Sequence, residues 1–231
     1  MRKLVLFDID GTLTNRTGDL KESLWRFPYA AKKLFDVELH LTVDDYMSYN
    51  GWVDKAQFWD QLKGTGVTRE EYLRKFPKFG QYTAEYMDLH KPQYRVNEGV
   101  KELLEYLQKQ KNLSLGVITG NAEKVAWWKL EQAGLRRFFS FGLFGDEADT
   151  RSELAEKAFE KAEKHFHIKF VPEQVTMVGD TTYDVACARH IGAKIVFLVT
   201  DGKNSSLTKD QKPDLIIASF ADPAVRDFLK A

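Results

Sequence analysis

Two carboxylates, Asp8 and Asp10, close the apolar run Leu4-Val5-Leu6-Phe7 with only Ile9 between them, and Gly11-Thr12 turns the chain immediately afterwards. Four apolar residues in succession read as a strand buried on both faces, the pattern of a parallel sheet. A carboxylate without compensation at the end of such a strand is costly. Two of them require a metal, a cationic partner or a shared chemical task. Alternate strand residues share a face, so carboxylates at i and i+2 can address one reacting group. The crevice outside the carboxyl ends of parallel strands is also where open α/β sheets bind ligands.

Two later apolar runs end in the same manner. Leu113 to Ile118 delivers Thr119-Gly120-Asn121, and Val175 to Val178 delivers Gly179-Asp180 with Asp184 following. Taken singly, Thr119 reads as a helix cap and Asp184 as the start of a helix. Right-handed crossovers place all these strand ends on one edge of the sheet. Gathered there, Asp8, Asp10, Asp180 and Asp184 form a set of four carboxylates that a cation must neutralise. An all-oxygen donor set suits Mg2+, which keeps waters and a substrate phosphate in its shell.

The elements that must position these groups follow from periodicity. From about residue 95 strands alternate with helices, which predicts an α/β fold with a doubly wound parallel sheet. Val100, Leu103, Leu104 and Leu107 form a helical stripe that Asn97 is expected to cap. Val125, Ala126, Leu130 and Ala133 form another, closed by Gly134, and Thr150 to Glu153 opens a third through a capping-box pattern. Further strands are expected at Ile195 to Val199 and Leu215 to Ile217, with a terminal helix at Val225 to Leu229. Residues 17 to 91 instead carry helical periodicity rich in aromatics, among them Trp25, Phe27, Trp52, Phe58, Tyr72 and Phe79. Thr68 to Glu71 should open a helix there, and Pro77 should break one. The chain thus divides into an α/β core, residues 1–15 and 92–231, and an inserted all-helical unit, residues 16–91.

Composition narrows the function classes. Lys plus Arg and Asp plus Glu both number 34 in 231 residues, so no global field draws the chain to nucleic acid or an anionic membrane. The single cysteine, Cys187, excludes an intrachain disulfide and reads as an inert packed thiol. The apolar run after Met1-Arg2-Lys3 is too short for a signal peptide, and no later segment matches a membrane span. A cytoplasmic location without membrane or nucleic-acid partners is the expectation, and oligomeric state is not legible.

Asp8-Ile9-Asp10-Gly11-Thr12, the strand end Thr119-Gly120-Asn121, and Gly179-Asp180-Thr181-Thr182-Tyr183-Asp184 resemble, in order and spacing, motifs I, II and IV of the haloacid dehalogenase-like hydrolase superfamily. The insertion between motifs I and II resembles its helical C1 cap, and the chain is most similar to phosphoglycolate phosphatase-like members. The resemblance implies that Asp8 is the nucleophile forming an aspartyl-phosphate, and that Asp10 is general acid and then base. It implies Mg2+ held by Asp8, the Asp10 main-chain carbonyl and Asp180, with Asp184 behind them. Thr119 and the amides of Gly120 and Asn121 would hold phosphate oxygens. The superfamily's usual motif III lysine is absent; Arg151 is the best-placed cation and Lys157 the alternative. Asn50 to Asp54 resembles a cap segment that reaches the active site, which nominates Trp52 and Asp54 for substrate specificity; helix packing and capping are their plainer roles.

The implied activity is a Mg2+-dependent phosphatase acting on a small phosphorylated metabolite. Asp10 favours phosphate esters over dehalogenation or phosphonate cleavage. A phosphomutase or phosphotransferase on the same fold is the alternative, and a catalytically idle binding module the alternative of another class. A receiver domain shares an acidic cluster but leaves the helical insertion unexplained.

Overall fold

The computed structural model describes residues 2–199, 207 and 212–230. Its centre is strand β1 (Lys3–Phe7), whose residues Leu4 to Phe7 are all buried. β1 pairs in parallel with β4 (Leu113–Ile118) on one side and β6 (Val175–Gly179) on the other. The short strands β5 (Phe141–Leu143), β7 (Lys194–Leu198) and β8 (Leu215–Ile217) extend the sheet to the order β5-β4-β1-β6-β7-β8, all parallel.

The strand alternation sorts side chains onto two faces. Val5 and Phe7 pack with helices α7 (Val100–Gln108), α8 (Glu123–Gln132) and α11 (Pro223–Lys230). Leu4 and Leu6 pack instead with α9 (Arg151–Phe166) and α10 (Thr182–His190). This is the doubly wound α/β sheet expected from the sequence. α8 ends at Gly134 as expected, and α10 ends at Gly192 in the same left-handed conformation. Thr150 caps α9 by accepting from the Glu153 N–H at 3.1 Å. Cys187 is buried, and burial pushes its thiol up to about 11.

After β1 the chain runs through β2 (Thr14–Thr17) into helices, and it returns through β3 (Gln93–Val96). β2 and β3 pair antiparallel, Arg16 opposite Tyr94, so exit and return form one ribbon. Between them lie α1 (Lys21–Leu24), α2 (Arg26–Phe35), α3 (Val43–Met47), α4 (Asp54–Leu62), α5 (Arg69–Lys75) and α6 (Phe79–His90). Thr68 caps α5, and Pro77 lies in the single 3-10 turn separating α5 from α6. Phe27, Phe58, Tyr72, Phe76 and Phe79 make the aromatic core of this block, and Ala122 of the sheet domain packs into it.

One expectation fails. α7 begins after Gly99, not Asn97. The Asn97 amide nitrogen donates to the carbonyls of Gly11 and Thr12 at 2.9 and 2.7 Å, so it holds the turn after β1 rather than a helix start. The carbonyls of a tight turn have no strand partner, and a side-chain amide from the returning strand satisfies them.

Candidate active site

β1 ends by presenting Asp8, buried to 5% exposure, at the floor of a cavity of about 650 Å3. Arg151, the first residue of α9, places one guanidinium nitrogen 3.2 Å from Asp8 and 2.6 Å from Asp184. Lys157 points elsewhere, to the main-chain carbonyl of Glu147. Of the two candidate cations it is Arg151, not Lys157, that contacts Asp8, and it lies largely enclosed against two carboxylates rather than on the surface.

Asp8, Asp180 and Asp184 each offer an oxygen within 4.8 Å of the others. Burial, and next the Asp184 carboxylate, push the Asp8 carboxyl well above the ordinary value against the opposing pull of Arg151. The same two causes push Asp180 up to about 7. Three compressed carboxylates facing one guanidinium make a hard-oxygen site with negative charge to spare, so the donor set fits a divalent metal ion. Asp184 is otherwise engaged: one oxygen meets Arg151, and the other accepts from the Thr181 N–H and hydroxyl at 3.0 and 2.7 Å. Asp180 accepts only the Thr12 hydroxyl, at 2.9 Å, among the described residues. Gly11, at φ +90°, makes its approach possible, since a Cβ there would stand 2.2 Å from an Asp180 oxygen.

The Asp10 carboxylate turns away from this trio. Lys129 on α8 donates to both its oxygens at 2.8 and 2.7 Å, and the Asn121 amide donates to one at 2.6 Å. Burial pushes the Asp10 carboxyl up, but the Lys129 ammonium and these hydrogen bonds outweigh it and hold the group below the ordinary value. Lys129 also donates to the Asn121 side-chain oxygen at 2.9 Å. The Thr119 hydroxyl accepts from the Asn121 amide and main-chain N–H at 2.8 and 3.3 Å. The turn before α8 is thereby tied to Asp10.

The cap-side expectations divide. Trp52 lines the cavity and stays 44% exposed. Asp54 also lines it, yet both its oxygens are already bonded. One lies 3.2 Å from Arg26 and the other accepts the Ala122 N–H, at the start of α8, at 2.9 Å. The Asp54 N–H donates to the Gly120 carbonyl at 2.7 Å, and the Lys55 N–H to that of Gly145 at 3.1 Å. Asp54 thus joins the helical block to the turn after β4 instead of offering a free carboxylate. A Cβ at Gly145 would lie 1.7 Å from the Gly120 oxygen, so these loops touch backbone to backbone.

Sequence reasoning missed Lys129 and Arg26, and it gave Asn97 to a helix start instead of the turn after β1. Lys129 had a legible signal. It stands four after Val125 and three after Ala126, on the buried stripe of α8, where a lysine needs an anion. Arg26 sits between Trp25 and Phe27 with no comparable mark.

The profile of the haloacid dehalogenase-like hydrolase family matches residues 5–198. Pyrophosphatase PpaX of Oceanobacillus iheyensis is 25% identical over 228 residues, covering 95% of this chain and 94% of the relative. A phosphoglycolate phosphatase of Mannheimia succiniciproducens is 29% identical over 230 residues, covering 95% and 96%. Among solved structures, a predicted phosphoglycolate phosphatase from Haemophilus somnus superposes with a TM-score of 0.64 at 25% identity, covering 99% of this chain and 97% of that one. CbbY from Rhodobacter sphaeroides in complex with phosphate shares the fold, with a TM-score of 0.68 at 16% identity and 96% coverage of both. With a family match spanning most of the sheet domain and the whole helical insertion, the chain belongs to the haloacid dehalogenase-like hydrolase family and is similar to its phosphatases, phosphoglycolate phosphatases and a pyrophosphatase among them.

Proposed function

We propose that this protein is a Mg2+-dependent phosphatase that hydrolyses a small phosphorylated metabolite in the cytoplasm through an aspartyl-phosphate on Asp8. The observation that carries the reading is the division of labour between the two carboxylates. Asp8 meets Arg151 and Asp10 meets Lys129, while both line one cavity.

In the first step an Asp8 oxygen attacks phosphorus, the ester P–O bond breaks, and Asp10 in its protonated form gives its proton to the departing oxygen. An incoming phosphoryl dianion opposes the Lys129 field at Asp10 and so favours that proton. In the second step water attacks the phosphorus, Asp10 takes its proton, and the bond to Asp8 breaks. Inorganic phosphate leaves and the Asp8 carboxylate returns. Asp8, Asp180 and the Asp10 main-chain carbonyl would hold Mg2+, with Asp184 behind them, and the ion would offset the charge of the phosphoryl group. Arg151, the Thr119 hydroxyl and the amides of Gly120 and Asn121 would bind its oxygens, at the start of the ten-residue helix α8.

Helices α1 to α6 act in this reading as a cap that keeps bulk water from the site, with Trp52 against the substrate and Asp54 positioning the cap. A cavity of about 650 Å3 suits a small molecule.

The test is phosphate release from phosphoglycolate, pyrophosphate, sugar phosphates and an aryl phosphate, with Mg2+ or EDTA, in wild type and Asp8→Asn. Release is expected only with the metal, and Asp8→Asn should fall by at least about a thousandfold while staying folded. Substantial turnover by Asp8→Asn would remove Asp8 as the nucleophile. Transfer of phosphate to a second hydroxyl, without release, would make the enzyme a mutase.

A further inference from the structure

Seven large apolar side chains stand exposed among the described residues, and only two of them are aromatic, Trp52 and Tyr183. Both line the active-site cavity, as does a third of the seven, Met47. Exposed apolar side chains scattered singly need no explanation, but a group gathered at one concavity marks a surface that something apolar covers. Phosphoryl transfer itself makes no use of such a surface, because the group transferred is charged and fully polar.

The rings are built into the walls. Trp52 packs edge-on against Tyr49, with ring centres 5.2 Å apart and planes at 89°. Tyr49 is fixed in turn by its hydroxyl, which donates to Asp60 at 2.8 Å. The Trp52 main chain lies on the turn after β4, where a Cβ at Gly120 would stand 2.4 Å from the Trp52 carbonyl oxygen. Tyr183 comes from the sheet domain, in the first turn of α10 beside Asp184. A Cβ at Gly51 would stand 2.2 Å from the Tyr183 ring, and Gly51, at φ +82°, immediately precedes Trp52. The helical block and the sheet domain thus bring one ring each to the same short segment, beside the turn whose amides would bind phosphate.

That placement says which part of a substrate would reach them. The phosphoryl group would lie between Asp8 and the Gly120 turn, so the rings meet what departs with the ester oxygen. Tryptophan and tyrosine rings favour flat partners, since aromatic contacts contribute beyond the area they bury, and a thioether such as that of Met47 adds favourable contact with a ring. We propose that Trp52 and Tyr183 bind a planar aromatic group carried on the leaving alcohol, which makes the substrate the phosphate ester of an alcohol that bears an aromatic ring. This rests on the phosphatase reading for the identity of the leaving side. A cavity of about 650 Å3 has room for such a ring together with a phosphate.

The test uses three esters of primary alcohols of similar acidity, ethyl, cyclohexylethyl and phenethyl phosphate, in saturating Mg2+. Wild type should favour phenethyl over ethyl phosphate in kcat/KM by about 10–100-fold, and over the equally apolar but non-planar cyclohexylethyl ester by about threefold to tenfold. Trp52→Ala and Tyr183→Ala should each collapse the phenethyl preference, chiefly through KM. Trp52→Phe and Tyr183→Phe, which keep a ring, should retain most of it. Ethyl phosphate corrects for any loss of folding, because a misfolded variant loses activity on all three esters alike. Equal losses on all three, or a wild type that prefers neither apolar ester or does not tell planar from saturated, overturns the proposal.

Calorimetric binding of the same esters to Asp8→Asn, with and without Trp52→Ala, separates this idea from the phosphatase reading. If wild type releases no phosphate but tighter binding of the phenethyl ester still depends on Trp52, the aromatic subsite stands and the phosphatase reading falls. If the binding preference is absent, the subsite falls whatever the turnover.

Discussion

Lys129 is the side chain whose role is least visible in a motif and most evident in space. Its ammonium meets both oxygens of Asp10 and the side-chain oxygen of Asn121, and it is almost fully buried. It fixes the direction of the proposed acid and base while the same lysine steadies the turn carrying Thr119. Lys129→Met keeps the length of the side chain and removes the grip. A loss of about 10–100-fold in kcat is expected, with a smaller change in KM, because misplacement of a reacting group by an ångström has that scale of effect. Steady-state kinetics on the best substrate checks it; an unchanged kcat would show that Asp10 needs no such support.

Among the elements, α4 and α8 carry the join between cap and sheet. Asp54 at the start of α4 receives Arg26 from α2 and the Ala122 N–H at the start of α8, and both members of the ion pair are buried. Removing one partner leaves the other charge buried alone, so Asp54→Ala should destabilise the fold by about 3–5 kcal/mol. Adding Arg26→Met should recover a large share, since no orphaned charge remains. Denaturant titration of both variants and the double variant tests this, and strict additivity would refute the coupling. Asp146, which accepts from the Glu123 N–H at 3.1 Å, gives α8 a pH dependence. Burial pushes its carboxyl from 3.8 up to about 6. Between those values the folded chain keeps a proton that the unfolded chain has lost, so stability falls as pH rises through the window. Asp146→Asn keeps an acceptor for the Glu123 N–H. It should stabilise the protein near neutral pH by about 1 kcal/mol and leave it unchanged in acid, which thermal melts across the window will read.

At the scale of the whole molecule, the sheet gathers carboxylates from β1 and from the segment after β6 that repel one another until a cation arrives. On the proposed function Mg2+ would bind only the assembled chain, so it should raise the melting temperature by roughly 5–10 °C at about a hundredfold excess over its dissociation constant. EDTA should reverse the gain. Asp180→Asn should lose most of the response and, without metal, melt at or above the wild-type temperature, because one of three compressed charges is gone. An Mg2+ response in Asp180→Asn equal to that of wild type would place the ion elsewhere.

The sequence alone determined the parallel sheet and the acidic edge. Mostly apolar runs ending in Asp8, Thr119 and Asp180 signal buried strands and the groups at their tips, and these signals are local, spanning fewer than ten residues each. It also named Arg151, because few cations stand in that segment, but left Lys157 open; the guanidinium at 2.6 Å from Asp184 and 3.2 Å from Asp8 separates them. Only the tertiary structure decided the partners. Lys129 meets Asp10 at a separation of 119 positions, Asn97 reaches back 86 to Gly11, and Asp54 finds Ala122 at a separation of 68. Such pairings depend on how the helical block folds back over the sheet edge. No periodicity encodes them, because they arise from the shape of the closed chain and not from the pattern along it.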